Sequence, residues 1–341
     1  FSIVSSAPLY DEQLSHASLD SFDIASIDDA LTFARFRKDD RLQVLLVTEI
    51  KGGVVEGINL NEYFRTNEAN PIDLFNTYGY DRIRRAAAGN SDRFTVSLPE
   101  LEIPVDLRAP HIGIGANYHA HAQEARAGDE PFVFPKLVEP TDFAADVSSE
   151  NSPRLDYEAE LGFVLLQDVK KGDPLPEFMG LILCNDFSDR WTLLRHMKWD
   201  SEMGTTGFAD GKGKAGFLPV GNLFVIPKEL QDFYPDIQLS LYLNGRLRQN
   251  SSTKFMRWGP EKMLEQTFAR AGWTFHSRAG AVALLPRKEI IRAGTIILSG
   301  TPEGVIFRPV NIWNGSLYLS AGDTVIVHAD RLGFVRNNIV E

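Results

Sequence analysis

Carboxylates recur at alternate positions in Leu155-Asp156-Tyr157-Glu158-Ala159-Glu160-Leu161. In an extended strand this spacing puts Asp156, Glu158 and Glu160 on one face. Like charges so close repel, so such a face belongs either in water or around a cation. A second run, Gly180-Leu181-Ile182-Leu183-Cys184-Asn185-Asp186, is apolar until it ends in Asn and Asp, and a carboxylate delivered at the end of a buried strand is well placed to enter a site. Read singly, the first run fits a solvated face as readily, and the second a turn-initiating Asp. Together, Glu158, Glu160 and Asp186 form an all-oxygen set suited to a hard divalent cation, Mg²⁺ first, with Mn²⁺ or Ca²⁺ as alternatives. Zinc is disfavoured, because the chain has one cysteine and neither HExxH nor paired CxxC.

The segment Gly113-Ile114-Gly115-Ala116-Asn117-Tyr118-His119-Ala120-His121-Ala122-Gln123-Glu124 passes from a Gly-rich strand end into a short helix. His121 and Glu124, three apart, share a helix face. A carboxylate beside an imidazole fixes its tautomer and raises its basicity, which makes a general base for water. His119 has no acid three residues on and points elsewhere. Lys136 in Phe134-Pro135-Lys136 and Lys212 in Gly211-Lys212-Gly213-Lys214 could neutralise carboxylates or stabilise an oxyanion, with Lys214 an alternative to Lys212. The turn Gly300-Thr301-Pro302-Glu303-Gly304-Val305 offers amides and a hydroxyl to a substrate carboxylate. Two nucleotide motifs fail: Thr206 stands at the first glycine of a phosphate loop, and Tyr118 where a dinucleotide fingerprint needs its third glycine. No nucleotide cofactor is implied.

These residues need a frame. Strands are predicted over 111–115, 157–166, 180–185, 237–243, 295–299 and 324–328, and helices over 119–127, 192–197 and 259–271. Their irregular order disfavours a doubly wound parallel sheet and predicts an α+β fold, mainly β. Towards the front, a helix is predicted over 27–36 with Asp28 and Asp29 in its first turn, then a strand over 42–47. A further helix is predicted over 72–88, its Arg82, Arg84 and Arg85 forming a solvated face rather than a binding patch. Pro104 and Pro110 bracket an extended crossing, which divides the chain into a small α/β domain, 1–107, and a catalytic domain, 108–341.

A length of 341 residues is more than one core usually serves, in keeping with two domains. Hydrophobic residues at 43% and charged residues at 24% exclude a disordered or collagen-like chain. A net charge of −11 repels phosphate backbones and anionic lipid, so neither nucleic acid nor a membrane is expected as a partner. No apolar run approaches the roughly 18 residues of a spanning helix. Cys184 alone cannot form an intrachain disulfide, which fits the cytoplasm. The first residues lack a basic stretch followed by an apolar block, so no export signal is expected.

In this order the segments resemble the fumarylacetoacetate hydrolase superfamily, over about residues 108 to 341 and in the manner of its acylpyruvate hydrolase-like members. The family's GxNYxxHxxE segment falls on His121 and Glu124, its DYExEL strand on Glu158 and Glu160, and its NDxSxR segment on Asp186. Its two lysines fall on Lys136 and Lys212, and its GTPxGV turn on Thr301. The resemblance implies substrate contacts from Asn117, Tyr118 and Arg190 besides Thr301. It also implies a mixed β-sandwich roll with a smaller N-terminal domain, usually assembled as a homodimer. Ala120, where Asp is common, and Gly213-Lys214, where a small residue and Phe are usual, depart from the pattern. Residues 203–214 and 311–318 stand as elaborations at the pocket mouth.

The implied chemistry is hydrolysis of a carbon-carbon bond in a β-diketo acid, acylpyruvate- or fumarylpyruvate-like, of the kind met in aromatic catabolism. The cation would chelate the substrate oxygens, His121 and Glu124 would deprotonate water, and a lysine would hold the oxyanion until an enolate stabilised by the metal departs. The same site would also serve a lyase or isomerase of the superfamily: a 2-keto-3-deoxy acid dehydratase, a decarboxylase or a tautomerase. A metal-stabilised scaffold without catalysis is the third reading.

Overall fold

The computed structural model describes residues 17–88, 92–126, 128, 130–285 and 289–341. Residues 1–16, on which the export-signal expectation rests, lie outside the described residues, as does residue 127 at the end of the helix predicted over 119–127.

The fold is mainly β, as expected. Two strands at its centre, Ala159–Leu165 and Met179–Asn185, are buried along their whole length. Alternation sends their side chains into two different layers. Leu161, Phe163, Leu181 and Leu183 join a core with Leu239, Leu241, Val325 and Val327 of a second sheet. Val164, Ile182 and Cys184 face the opposite way, into a core with Leu31, Phe33, Val44, Ile72 and Ile83. The second sheet has five strands and includes Gln238–Leu243, Arg246–Ser252, Thr324–Ala329 and Gly333–Val340. Sheet packed on sheet is thus the architecture around these two strands.

The large sheet does not stop at residue 107. Across it, the strands run Phe94–Ser97, Val54–Asn59, Arg41–Lys51, Ala30–Lys38, Phe224–Pro227, Met179–Asn185, Ala159–Leu165, Ile296–Leu298, His111–Gly115 and Phe132–Lys136. Ala30–Lys38 pairs antiparallel with Phe224–Pro227, Leu31 lying opposite Ile226 and Phe33 opposite Phe224. His111–Gly115 and Ile296–Leu298 pair in parallel.

The helix predicted over 27–36 is therefore corrected to a strand. Residues 30–36 are all buried between two strand neighbours, so they lack the polar alternation that marks a half-exposed strand. Asp28 and Asp29 are accordingly not helix caps: they sit in the preceding turn, where Asp28 pairs with Arg84 at 2.8 Å. The helix predicted over 72–88 is two helices, Pro71–Tyr78 and Tyr80–Ala88, broken at Gly79, whose φ of 75° no side chain-bearing residue adopts comfortably. Arg82 stacks on Tyr78, 4.8 Å from its ring centre. Among the described residues no helix is long and apolar enough to cross a membrane.

Candidate active site

The register of the two central strands builds the acidic cluster. Glu160 lies opposite Cys184 and Ala159 opposite Asn185, and the Asp186 amide donates to the Glu158 carbonyl at 2.9 Å. Glu158, Glu160 and Asp186 thereby project from one face, and their oxygens lie within 4.8 Å of one another, all buried. Asp156 does not join them. The strand predicted over 157–166 begins only at Ala159, after a separate two-residue strand, Leu155–Asp156. The Asp156 carboxylate instead accepts from Arg190 Nε at 2.8 Å and from the amides of Ile306 and Phe307.

Three cations are buried beside the acids. Lys212 Nζ donates to Glu158 Oε2 and Asp186 Oδ2, both at 2.7 Å. Lys136 Nζ donates to Asp186 Oδ1 at 2.5 Å and to the carbonyls of Lys212 and Phe217 at 2.6 and 2.8 Å. Arg190 bridges Asp156 and Glu158. Lys214, the alternative to Lys212, turns away to Asn151, Ser152 and Asp189.

Burial alone would raise the Glu158 carboxyl, but Arg190 and Lys212 outweigh it and hold the group below the usual range. Glu160 has no cation bonded to it among the described residues. Burial, with Asp186 and Glu158 nearby, pushes its carboxyl well up, while one oxygen accepts the Gly300 amide at 2.8 Å. Burial lowers the Lys136 ammonium. For Lys212 burial acts in the same sense, but Asp186 and Glu158 prevail and raise it.

Asp156, Glu158, Glu160 and Asp186 carry four charges when ionised, against three on Lys136, Arg190 and Lys212. The surplus sits at Glu160 and is neutralised by a proton or by a cation shared with Glu158 and Asp186. A hard divalent ion fits this donor set, which is all oxygen and already drawn together.

His121 lies beside this cluster, 7% exposed. Burial pushes its imidazole down to about 4, with Arg190, Lys212 and Arg308 adding to the effect against Glu158, so the ring is neutral at pH 7. Its Nδ1 stands 4.0 Å from Glu124 Oε2, longer than a hydrogen bond, and has no partner among the described residues. Glu124 is occupied on its other side: Arg308 donates to Oε1 at 2.5 Å and the Gly304 amide to Oε2 at 3.0 Å. Burial raises the Glu124 carboxyl. Helix His119–Ala125 thus brings the predicted pair together as neighbours, with Arg308 as a third member that no motif announced.

One cavity, about 400 Å³, is lined by His121, Glu158, Glu160, Arg190, Lys212 and Thr301 at its polar end. Asp186 and Lys136 lie outside this lining. Asn117 and Tyr118 are also outside it: the Asn117 amide group donates to the carbonyls of Trp258 and Ser299 and accepts from the Trp258 amide at 2.7 Å, and Tyr118 is 1% exposed. Gln249, unforeseen in the sequence, ties the site together. Its Oε1 accepts the Ala159 amide at 3.0 Å, and its Nε2 donates to Thr301 Oγ1 at 2.9 Å and to the Pro302 carbonyl. The strand bearing Glu160 is so joined to the turn bearing Thr301.

Comparison with known proteins gives the family and the fold. Residues 110–340 match the family model for the fumarylacetoacetate (FAA) hydrolase C-terminal domain. The chain is 28% identical over 269 residues to a 2,4-didehydro-3-deoxy-L-rhamnonate hydrolase from Sphingomonas sp. (strain SKA58), covering 75% of this chain and 83% of that one. A fumarylacetoacetate hydrolase domain-containing protein 2 homolog from Dictyostelium discoideum is also 28% identical, covering 73% and 77%. The solved fumarylacetoacetate hydrolase of Exiguobacterium antarcticum shares the fold, with a TM-score of 0.64 and 21% identity over 91% of this chain and 99% of its own.

Proposed function

The chain belongs to the fumarylacetoacetate hydrolase family of enzymes, and from that premise we propose that it hydrolyses a carbon-carbon bond in a 2,4-dioxo acid, an acylpyruvate-like compound, with the help of a divalent ion, Mg²⁺ first. The observation that carries this reading is a buried triad of carboxylates, two of which, Glu158 and Glu160, line one cavity together with a neutral, buried histidine. The name of the Sphingomonas relative supports it, since a 2,4-didehydro-3-deoxy acid has carbonyls at carbons 2 and 4.

Glu158, Glu160 and Asp186 would hold the ion, which when bound supplies a Lewis acid and a template for the substrate oxygens. His121, uncharged, takes the proton of a water at the cavity wall. Glu124 and Arg308 fix the helix face from which it acts. Lys212, which lines the cavity, is the lysine placed to meet an oxyanion; Lys136 spends its three N–H bonds on Asp186 and two carbonyls and so positions the site. The Thr301 hydroxyl and Arg190 face the substrate carboxylate. Catalysis is assigned to residues 108–341 and support to 1–107, since the cavity lining runs from Ile114 to Ile312. A cytoplasmic homodimer serving aromatic catabolism completes the proposal.

The 4.0 Å gap between His121 and Glu124 favours one alternative, a lyase or isomerase, because a single proton carrier suffices for tautomerisation. Acetylpyruvate incubated with chelated enzyme, then with added Mg²⁺ or Mn²⁺, separates these outcomes. Metal-dependent loss of diketone absorbance with fragments that have gained water supports hydrolysis. A product of unchanged mass means an isomerase, and loss of water or carbon dioxide a lyase. Full turnover after chelation would overturn the metal assignment.

A further inference from the structure

We propose that the acyl end of the substrate is apolar, an alkyl or aryl group, rather than hydroxylated or carboxylated; this rests on the 2,4-dioxo acid reading above. The cavity changes character sharply with distance from the acids. The Phe134 ring lies 5.5 Å from Lys212 Nζ, and Arg190 packs over Phe307 at the same distance, so carbon begins directly at the edge of the polar end. Beyond it the Phe208 ring packs against Phe132 and Phe134, at 4.9 and 5.1 Å between centroids. Leu193, Leu194 and Met197, from and just after helix Arg190–His196, form another side of the wall.

Outside the six polar residues named above, Arg126 and the Trp199 indole are the side chains in the lining that can hydrogen-bond, and both are exposed at the mouth. A hydroxyl carried into this wall would leave water without gaining a partner, a penalty that apolar pockets impose on polar groups. At about 30 Å³ for each water-sized group, 400 Å³ holds roughly 13 non-hydrogen atoms, and a 2,4-dioxo acid head takes about eight of them. Room for roughly five carbons remains, and the wall around it is hydrocarbon.

The glycines opposite explain how the wall is made. Gly113 pairs with Phe134 and Gly115 with Phe132, and a Cβ on either glycine would fall 2.2 Å from the partner's ring. Each ring lies over a bare backbone, and both rings border the cavity.

The test is a kcat/KM series with Mg²⁺ on acetyl-, butanoyl-, hexanoyl- and benzoylpyruvate, with a 5,6-dihydroxylated analogue of the hexanoyl compound and with fumarylpyruvate. The expected result is a rise of about four-fold per methylene, hexanoyl exceeding acetyl by about 250-fold over four methylenes, and both polar-tailed compounds falling about 100-fold below hexanoyl. In Leu194→Gln, a half-buried position, the hexanoyl compound should lose at least ten-fold more than the acetyl one. A flat series, or preference for a hydroxylated or carboxylated tail, overturns the inference while leaving the 2,4-dioxo acid reading standing. Turnover of none of the compounds refutes that reading, and the inference with it.

Discussion

Replacing Lys136 by Met keeps an unbranched side chain, one heavy atom shorter, and removes one of the two ammonium groups that hold Asp186. Lys136 is fully buried, and its ammonium holds Asp186 together with the carbonyls of Lys212 and Phe217. In the variant four acids would face two cations, and Asp186 would keep only Lys212. Breaking a buried ion pair from one side costs about 3–5 kcal/mol, and the two carbonyls that lose a donor push the cost towards the upper end of that range. Against a total stability of about 5–15 kcal/mol this is a large fraction. With about 2–4 °C of melting temperature per kcal/mol for domains of this size, the thermal midpoint should fall by roughly 6–20 °C. Differential scanning calorimetry of both proteins, at equal Mg²⁺, reads the shift. A midpoint within 2 °C of the parent would refute the argument, and an unchanged melt with a collapsed kcat would show that Lys136 reaches the substrate instead of positioning its neighbours.

Three further outcomes are expected. His121→Ala should lower kcat by about 10²–10⁴-fold, the range for loss of a general base, with circular dichroism unchanged; hydrolysis retained within ten-fold would exclude His121 as the base. The folded imidazole, pushed down to about 4, releases its proton more readily than the same group in the unfolded chain at 6.5. Unfolded chains therefore bind that proton first, and stability is lost as pH falls from 6.5 towards 4, by up to about 3 kcal/mol from this group; between pH 7 and pH 4.5, urea melts should show a smaller loss in His121→Gln than in the parent, the remainder including His111 and His328, which burial lowers in the same sense. Gly115→Ala should force the Phe132 ring towards the cavity, destabilising the fold by about 1–3 kcal/mol and penalising long acyl chains more than acetyl in the kcat/KM series.

The acidic cluster is legible in the sequence because two local signals, alternation in a strand and a carboxylate at a strand end, coincide in the register of one antiparallel pair. His121 and Glu124 are legible as neighbours from helical spacing, but not the turn of Glu124 towards Arg308, which lies 184 positions away. Gln249 gives no sign at all, being one polar residue in a polar strand, yet it is fully buried and joins two parts of the site. Asn117 carries a motif position, and its side chain serves the backbone of residue 258 and Ser299. The front section misleads where its burial comes from distant partners: Ala30–Lys38 is covered by strands on both edges, and even Arg35 is buried there, bonded to the Ile103 carbonyl and Asp106. Periodicity reports one exposed face, and this strand has none over most of its length.

The ladder from Ala30–Lys38 to Phe224–Pro227 decides what happens when the chain is cut. The family match begins at residue 110, which invites expression of that part alone. Such a fragment would present Phe224–Pro227, four residues that are now wholly buried, as a bare edge with a row of vacant amides and carbonyls. Copies would stitch together along it, and sedimentation of the fragment would report large, heterogeneous particles whose association says nothing about how the intact protein assembles.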